Sequence, residues 1–97
     1  MTRIVAIGDN ARVRLILSPA ALKSVALMPK RERAGLVAKL AAFADGPFAP
    51  HGSAKPLRGL KDAVRVRHGD WRAVCRIDRD DGVVIVEAIG HRREIYR

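Results

Sequence analysis

The chain has little of the chemistry that defines several common classes of protein. It has one cysteine, Cys75, which excludes an internal disulfide and fits a reducing environment. Its three histidines lack metal-ligand spacing, so we expect no metal and no other cofactor. The apolar runs near the N-terminus are short and are interrupted by Arg and Asp, which predicts neither a signal peptide nor a membrane span. We therefore expect a soluble, cytoplasmic protein without membrane contact.

Acidic residues are scarce relative to basic ones. Ten Asp and Glu stand against 19 Lys and Arg, which gives a formal net charge of +9. Such a surface attracts polyanions, either nucleic acid or an acidic protein segment. Because 97 residues with 48% hydrophobic content can bury one small core, we expect a single domain over 1–97, with 1–11 as an N-terminal extension or an extra strand.

The apolar spacing in the first half predicts a strand followed by two helices. In "RVRLILS" the apolar residues alternate, which is typical of a half-buried strand, here beginning near Arg12. The "SP" at 18–19 is a common beginning of a helix, and we expect that helix to end near Met28. Apolar residues recur at helical spacing over 30–44 and predict a second helix. The segment 45–55, which contains Gly and Pro, is predicted to be a surface loop.

The second half predicts three antiparallel strands joined by tight turns. The strands are "AVRVR", "WRAVCRID" and "VVIVEAIG", and the turn signals "HGD" and "RDDG" separate them. The predicted fold class is therefore α+β: an N-terminal strand, a helical hairpin and a three-stranded antiparallel meander, with both helices packed on one face of the sheet. The other face stays open.

The two turns predict which residues lie opposite each other. If "GD" forms a two-residue turn, Arg67 lies opposite Arg72. If "DG" does the same in the next hairpin, Arg72 also lies opposite His91, and Arg76 lies opposite Glu87. The apolar residues expected on the face toward the helices are Val64, Val66, Trp71, Ala73, Cys75, Ile77, Val84, Val86 and Ala88.

The predicted row of Arg67, Arg72 and His91 indicates an anion site on the open face. Like charges directly opposite each other destabilise a sheet, and an anion between them removes the repulsion. Guanidinium groups bind phosphate with two parallel hydrogen bonds, and an open sheet can follow a nucleic-acid backbone. The alternative is that basic residues simply alternate outward on a solvated sheet.

Two stretches resemble a known family. "KPLRGLKDAVRVRHGDWRAVCRID" and the C-terminal "IGHRREIYR" resemble the RelE/ParE superfamily of bacterial type II toxins, and the RelE branch more than the ParE branch. The resemblance runs from about Val13 to Tyr96. It implies a RelE-like fold and a toxin that is held inactive by a cognate antitoxin.

In the RelE branch the toxin cleaves mRNA on the ribosome through attack of a ribose 2′-hydroxyl on the adjacent phosphate. Position by position, the resemblance implies that this chemistry would use Arg65, Arg67, Arg72, Arg92 and Tyr96. Some relatives have lysine in place of the first two arginines, and arginine is effectively never deprotonated, so the resemblance leaves the general base open. Imidazole accepts a proton near neutral pH, and His91 is our candidate for this base. Further residues expected to bind RNA are Lys55, Arg58, Lys61 and Arg76.

Other functions stay open at this point. The first alternative is a ParE-like toxin that inhibits DNA gyrase by binding it, without RNA cleavage. The second is a basic binding module that has the fold and no activity. The expected partners are therefore the antitoxin together with mRNA and the ribosome, or the antitoxin together with gyrase.

Overall fold

The structure, a computed structural model, describes residues 3–5, 14–46 and 52–93. These residues form six strands and two helices. In chain order they are β1 (Arg3–Val5), β2 (Arg14–Leu17), α1 (Pro19–Leu27), α2 (Lys30–Asp45), β3 (Ala54–Pro56), β4 (Ala63–His68), β5 (Trp71–Asp78) and β6 (Val83–His91). Neither described helix has the length and apolar composition needed to cross a lipid bilayer.

The two helices begin and end where local chemistry directs them. The Ser18 hydroxyl accepts a hydrogen bond from the Ala21 N–H at 3.0 Å and caps α1, as expected for this residue type before a proline. The same hydroxyl donates to the Glu87 carbonyl at 2.7 Å and ties the helix to β6. Pro29 separates α1 from α2, because proline restricts the preceding residue to extended backbone. The predicted helical hairpin is confirmed.

One mixed sheet contains all six described strands, in the order β1-β2-β6-β5-β4-β3. The predicted meander β4-β5-β6 is antiparallel, and β2 pairs with β6 in parallel. Parallel neighbours need a long crossover connection, and here the chain passes through both helices before the meander. β3 lies where the sequence predicts the end of a loop, as a three-residue strand at the sheet edge, where proline is tolerated.

Both helices pack against one face of the sheet, as predicted. α1 contacts β6 and β2, and α2 contacts β4 and β2. Burying these apolar side chains supplies the main driving force for folding. The buried core consists of Leu15, Leu17, Ala21, Met28, Leu36, Leu40, Phe43, Ala44, Val66, Ala73, Cys75, Ile77, Val84, Val86 and Ile89. Neither of the described helices covers the opposite face of the sheet.

The Cys75 thiol is expected to be unreactive in the native protein. The side chain is fully buried, and burial raises the pKa of Cys75 to about 12. At about pH 8 the folded protein therefore holds almost no thiolate, which is the reactive form. We expect iodoacetamide to label native protein about a hundredfold more slowly than urea-unfolded protein. Equal labelling rates would contradict the burial of this residue.

The same raised pKa makes the folded state sensitive to alkali. Cys75 is un-ionised in the fold but ionises in the unfolded chain at its ordinary pKa. Its contribution to stability is therefore complete below that ordinary value and declines as the pH rises above it.

Candidate nucleic-acid interface

The sheet face that the helices leave uncovered carries a group of arginines. On β4, Arg65 and Arg67 flank the fully buried Val66 and therefore point away from the helices. Arg67 lies directly opposite Arg72 of β5, as the two-residue turn predicts. Lys55 of the edge strand lies opposite Arg65 and extends the basic surface outward. The first half of the predicted row is therefore confirmed.

Hydrogen bonds to the preceding turn fix the orientation of Arg72. Its Nη1 donates to the Gly69 carbonyl at 2.7 Å and to the Trp71 carbonyl at 3.0 Å. Gly69 has a φ of +58°, which glycine adopts without a Cβ penalty and which this tight turn requires. The Nε atoms of Arg72 and Arg65 are buried without a hydrogen-bond partner among the described residues. These buried Nε–H groups are not accessible from solvent, so donation to an anion falls to the terminal nitrogens of the guanidinium groups.

The second half of the predicted row is wrong, because β6 pairs in a different register. The connection between β5 and β6 has four residues, since Asp78 pairs with Val83. A four-residue turn in place of the predicted two-residue turn shifts the register of β6 by two residues. By itself this shift would leave the same side chains of β6 facing the helices. A β-bulge then leaves Glu87 as an extra residue between the Cys75–Val86 and Val74–Ala88 pairs.

The bulge reverses which side chains of β6 face the helices. Ile89, rather than Ala88, reaches the core and is 6% exposed. Gly90, which has no side chain, lies opposite Arg72, and His91 lies opposite Trp71. His91 is therefore not beside Arg72 on the open face, as predicted: it lies one position further toward the end of the sheet, on the same face as the buried Ile89.

His91 instead belongs to a cluster at the end of the sheet with Arg92 and Asp70. Its Nε2 lies 3.9 Å from Asp70 Oδ2, and Arg92 Nε lies 3.5 Å from Asp70 Oδ1. The Arg92 N–H donates to the Asp70 carbonyl at 2.7 Å. On its other side the imidazole contacts Trp71 edge to face, with ring centroids 5.8 Å apart. One carboxylate thus faces both a titratable imidazole and a guanidinium.

Asp70 is the residue of this cluster that the sequence analysis did not include. It stands in the "GD" turn signal and reads as a turn former there. The predicted strand pairing could have indicated Asp70, because antiparallel pairing of β5 with β6 places the first residues of β5 beside the last residues of β6.

The remaining predicted site residues lie in different surroundings. Arg76 lies opposite Ile85 and not, as predicted, opposite Glu87, because of the changed register, but its Nε donates to Glu87 Oε1 at 2.7 Å. Arg58 and Lys61 are exposed in the segment between β3 and β4. Tyr96 lies outside the described residues. The structure therefore forms two groups: Arg65, Arg67 and Arg72 on the open face, and Asp70, His91 and Arg92 at the end of the sheet, where His91 lies on the face toward the helices.

The helices cover one face of the sheet, and the other face carries a fixed group of arginines. These features define a small basic protein with a surface for a polyanion or an acidic partner. The model of the family described as "ParE toxin of type II toxin-antitoxin system, parDE" matches residues 15–96. The chain belongs to this family and is a type II toxin of the RelE/ParE superfamily. No curated protein sequence matches it significantly.

Solved structures of RelE-like toxins have the same fold. A chain of the RelBE2 toxin–antitoxin complex of Mycobacterium tuberculosis has a TM-score of 0.63 and 25% identity, over 79% of this chain and 94% of that one. The isolated Escherichia coli RelE toxin has a TM-score of 0.71 and 24% identity, over 79% and 81%. A chain of the E. coli DinJ–YafQ toxin–antitoxin complex has a TM-score of 0.70 and 17% identity, over 89% and 99%. The predicted RelE-like α+β fold is confirmed.

Proposed function

We propose that this toxin is an endoribonuclease that cleaves mRNA on the ribosome, by attack of a ribose 2′-hydroxyl on the adjacent phosphate. The observation that carries the proposal is the pairing of Arg67 with Arg72 on an open sheet face, where two backbone carbonyls already orient Arg72. The likeness to RelE and YafQ structures supports the same choice.

The arginine pair suits a phosphate that gains charge during the reaction. Arg67 and Arg72 are opposite each other in the register, where like charges repel, and a phosphate bound between them offsets that repulsion by attracting both. Attack by the 2′-hydroxyl places additional negative charge on the phosphorane oxygens. Donors that are fixed before the reaction stabilise this charge without having to reorganise. The two carbonyl contacts of Arg72 supply that fixation.

Proton transfer falls to His91 and Asp70, because arginine does not give up its proton. The His91 Nδ1 accepts from the Arg93 N–H at 3.4 Å, and its Nε2 faces Asp70. To take the proton of the 2′-hydroxyl, His91 Nδ1 gives up its contact with the Arg93 N–H, and Asp70 stabilises the imidazolium that results; the departing 5′-oxygen takes a proton from water. Arg92, on the other oxygen of Asp70, adds positive charge to this cluster.

Programmed ribosomes test the proposal. Wild-type toxin and Arg92→Ala are incubated with ribosomes that hold a defined mRNA, and the RNA ends are mapped. We expect wild type to produce new ends within the A-site codon, and Arg92→Ala to produce about tenfold fewer in the same time. Intact mRNA with the wild-type protein would overturn the proposal.

A second candidate function is inhibition of DNA gyrase by binding. The matching family model favours it, since that family is described as ParE. The same protein preparation, added to a supercoiling assay with purified gyrase, separates the two candidates. Inhibition of supercoiling without RNA cleavage would favour gyrase as the target.

We also propose that a cognate antitoxin is the partner. It would bind partly over the apolar part of the open face that includes Leu60 and Val74. The RelBE2 and DinJ–YafQ structures are toxin–antitoxin complexes. A cavity of about 340 Å³ opens there, beside Leu60, which is 62% exposed. Its lining combines apolar and charged side chains: Leu60, Lys61, Ala63, Val74, Cys75, Arg76 and Glu87. A segment with an apolar side chain and acidic neighbours fits this lining and the net positive charge.

Leu60→Asp tests the antitoxin surface. An acid in place of an apolar contact is expected to weaken antitoxin binding by about tenfold or more in calorimetry. The matched control is Leu27→Asp, since Leu27 is also highly exposed but lies at the end of α1. Equal affinities of the two variants would place the antitoxin elsewhere.

A further inference from the structure

His68, the last residue of β4, projects from the opposite face of the sheet to its neighbour Arg67. Its imidazole packs against Gly35 in the interior of α2. A Cβ at position 35 would overlap Cε1 and Nε2 of the imidazole, so glycine is the residue that leaves room for the ring. This close approach explains a glycine inside a helix, where it is otherwise unfavourable.

An acid from the same helix faces the imidazole. Glu32, one turn before Gly35, places Oε2 3.6 Å from His68 Nε2. The His68 side chain is 25% exposed, and its Nδ1 is buried without a hydrogen-bond partner among the described residues. An apolar side chain would fill this space without leaving a buried polar atom unpartnered. The contact with Glu32 distinguishes the histidine from such a packing residue.

The sheet register connects His68 to the proposed catalytic cluster. His68 lies opposite Trp71, and Trp71 lies opposite His91, so the three rings form one row across β4, β5 and β6. Trp71 packs against the core and contacts His91 edge to face. A series of neighbouring side chains therefore leads from Glu32 in α2 through this row to His91, which faces Asp70.

We propose that His68 is a positioning residue: seated on Gly35 and held by Glu32, it fixes Trp71, and through Trp71 it holds the His91 imidazole against Asp70. The expected effect on cleavage rests on the proposed endoribonuclease function. The expected effect on the His91 ring does not, because it follows from the contacts alone.

The test compares Gly35→Ala, His68→Ala and the double variant with the wild-type protein. NMR signals of the His91 ring report its surroundings, and steady-state cleavage kinetics report kcat and KM separately. We expect both single variants to shift the His91 signals and to lower kcat by about tenfold, with KM within about twofold of wild type. Since Gly35→Ala acts by displacing the ring of His68, we expect the double variant to match His68→Ala.

Each result decides the proposal. Unchanged His91 signals in His68→Ala would overturn it, and so would effects that add fully in the double variant. If His68→Ala does not fold, Glu32→Gln removes the acid while keeping its shape, and unchanged His91 signals there would overturn the proposal equally. If wild type cleaves no RNA, the proposed function fails while the His91 signals still test the positioning.

Discussion

Replacing Arg72 with alanine is expected to lower the rate of RNA cleavage about a hundredfold or more, with a smaller effect on RNA binding. The guanidinium is oriented before the substrate arrives by its hydrogen bonds to the carbonyls of Gly69 and Trp71. Removing one preorganised donor from a developing oxyanion has an effect of about this size in enzymes. Single-turnover cleavage on programmed ribosomes measures it.

Two further variants separate geometry from charge. Arg72→Lys keeps the positive charge but lacks the planar guanidinium, in which Nη1 contacts both carbonyls while Nη2 stays available to a phosphate, so we expect it to recover little of the lost rate. Lys23→Ala removes one exposed positive charge from α1, outside the open face, and is expected to cleave within about twofold of wild type. Full activity of Arg72→Ala would contradict the assignment of the phosphate site.

Replacing His91 with glutamine is expected to lower the cleavage rate by about a hundredfold and to change its pH dependence. Glutamine retains hydrogen-bonding groups but takes up no proton in this pH range, whereas general acid–base catalysis contributes about a hundredfold or more. The pH–rate profile should change shape, because the variant lacks the group that is proposed to accept the proton. Asp70→Asn is expected to have a smaller effect, about tenfold, because the carboxylate acts through its contact with His91.

The pH profile also distinguishes catalysis from folding. If His91 merely supports the end of the sheet, His91→Gln should lower the melting temperature and leave the shape of the pH profile unchanged. If both the rate and the profile match wild type, another group accepts the proton. Circular dichroism melting of wild type and variant supplies the comparison.

The register of the first hairpin could be predicted from sequence because its turn chemistry allows one pairing. Gly69 supplies the positive φ that a two-residue turn needs, and this fixes Arg67 opposite Arg72. The second hairpin could not be predicted in the same way, because its turn has four residues and "VVIVEAIG" is apolar almost throughout. Without alternation, nothing in that stretch signals the bulge at Glu87 that reverses its faces.

The candidate site was therefore only partly predictable. Its arginines follow from alternation along β4 and β5, whereas the Asp70 cluster depends on which strand ends meet. The position of the His68 ring depends on its contact with Gly35, which comes from a helix more than thirty residues earlier in the chain. Sequence reasoning reads both Asp70 and His68 as turn residues, because their partners lie on other elements. Contacts of this kind become visible only once the helices and the sheet are placed together.

The parallel pairing of β2 with β6 is a further feature that local patterns do not contain. Alternation identifies β2 as a half-buried strand but does not say which neighbour it takes. Its position beside β6 places Leu15 opposite Val84 and Leu17 opposite Val86, so all four side chains enter the core under the helices. Burial of this row selects the topology.

The most direct test of the central claim is to map both ends of mRNA after incubation with ribosomes and the purified toxin. Cleavage on the ribosome predicts new ends within the A-site codon, and attack by a 2′-hydroxyl predicts a cyclic phosphate on the upstream fragment and a free 5′-hydroxyl on the downstream one. Arg72→Ala is expected to give about a hundredfold less product. Intact mRNA, from a preparation that inhibits gyrase supercoiling, would contradict the claim and favour the binding function instead.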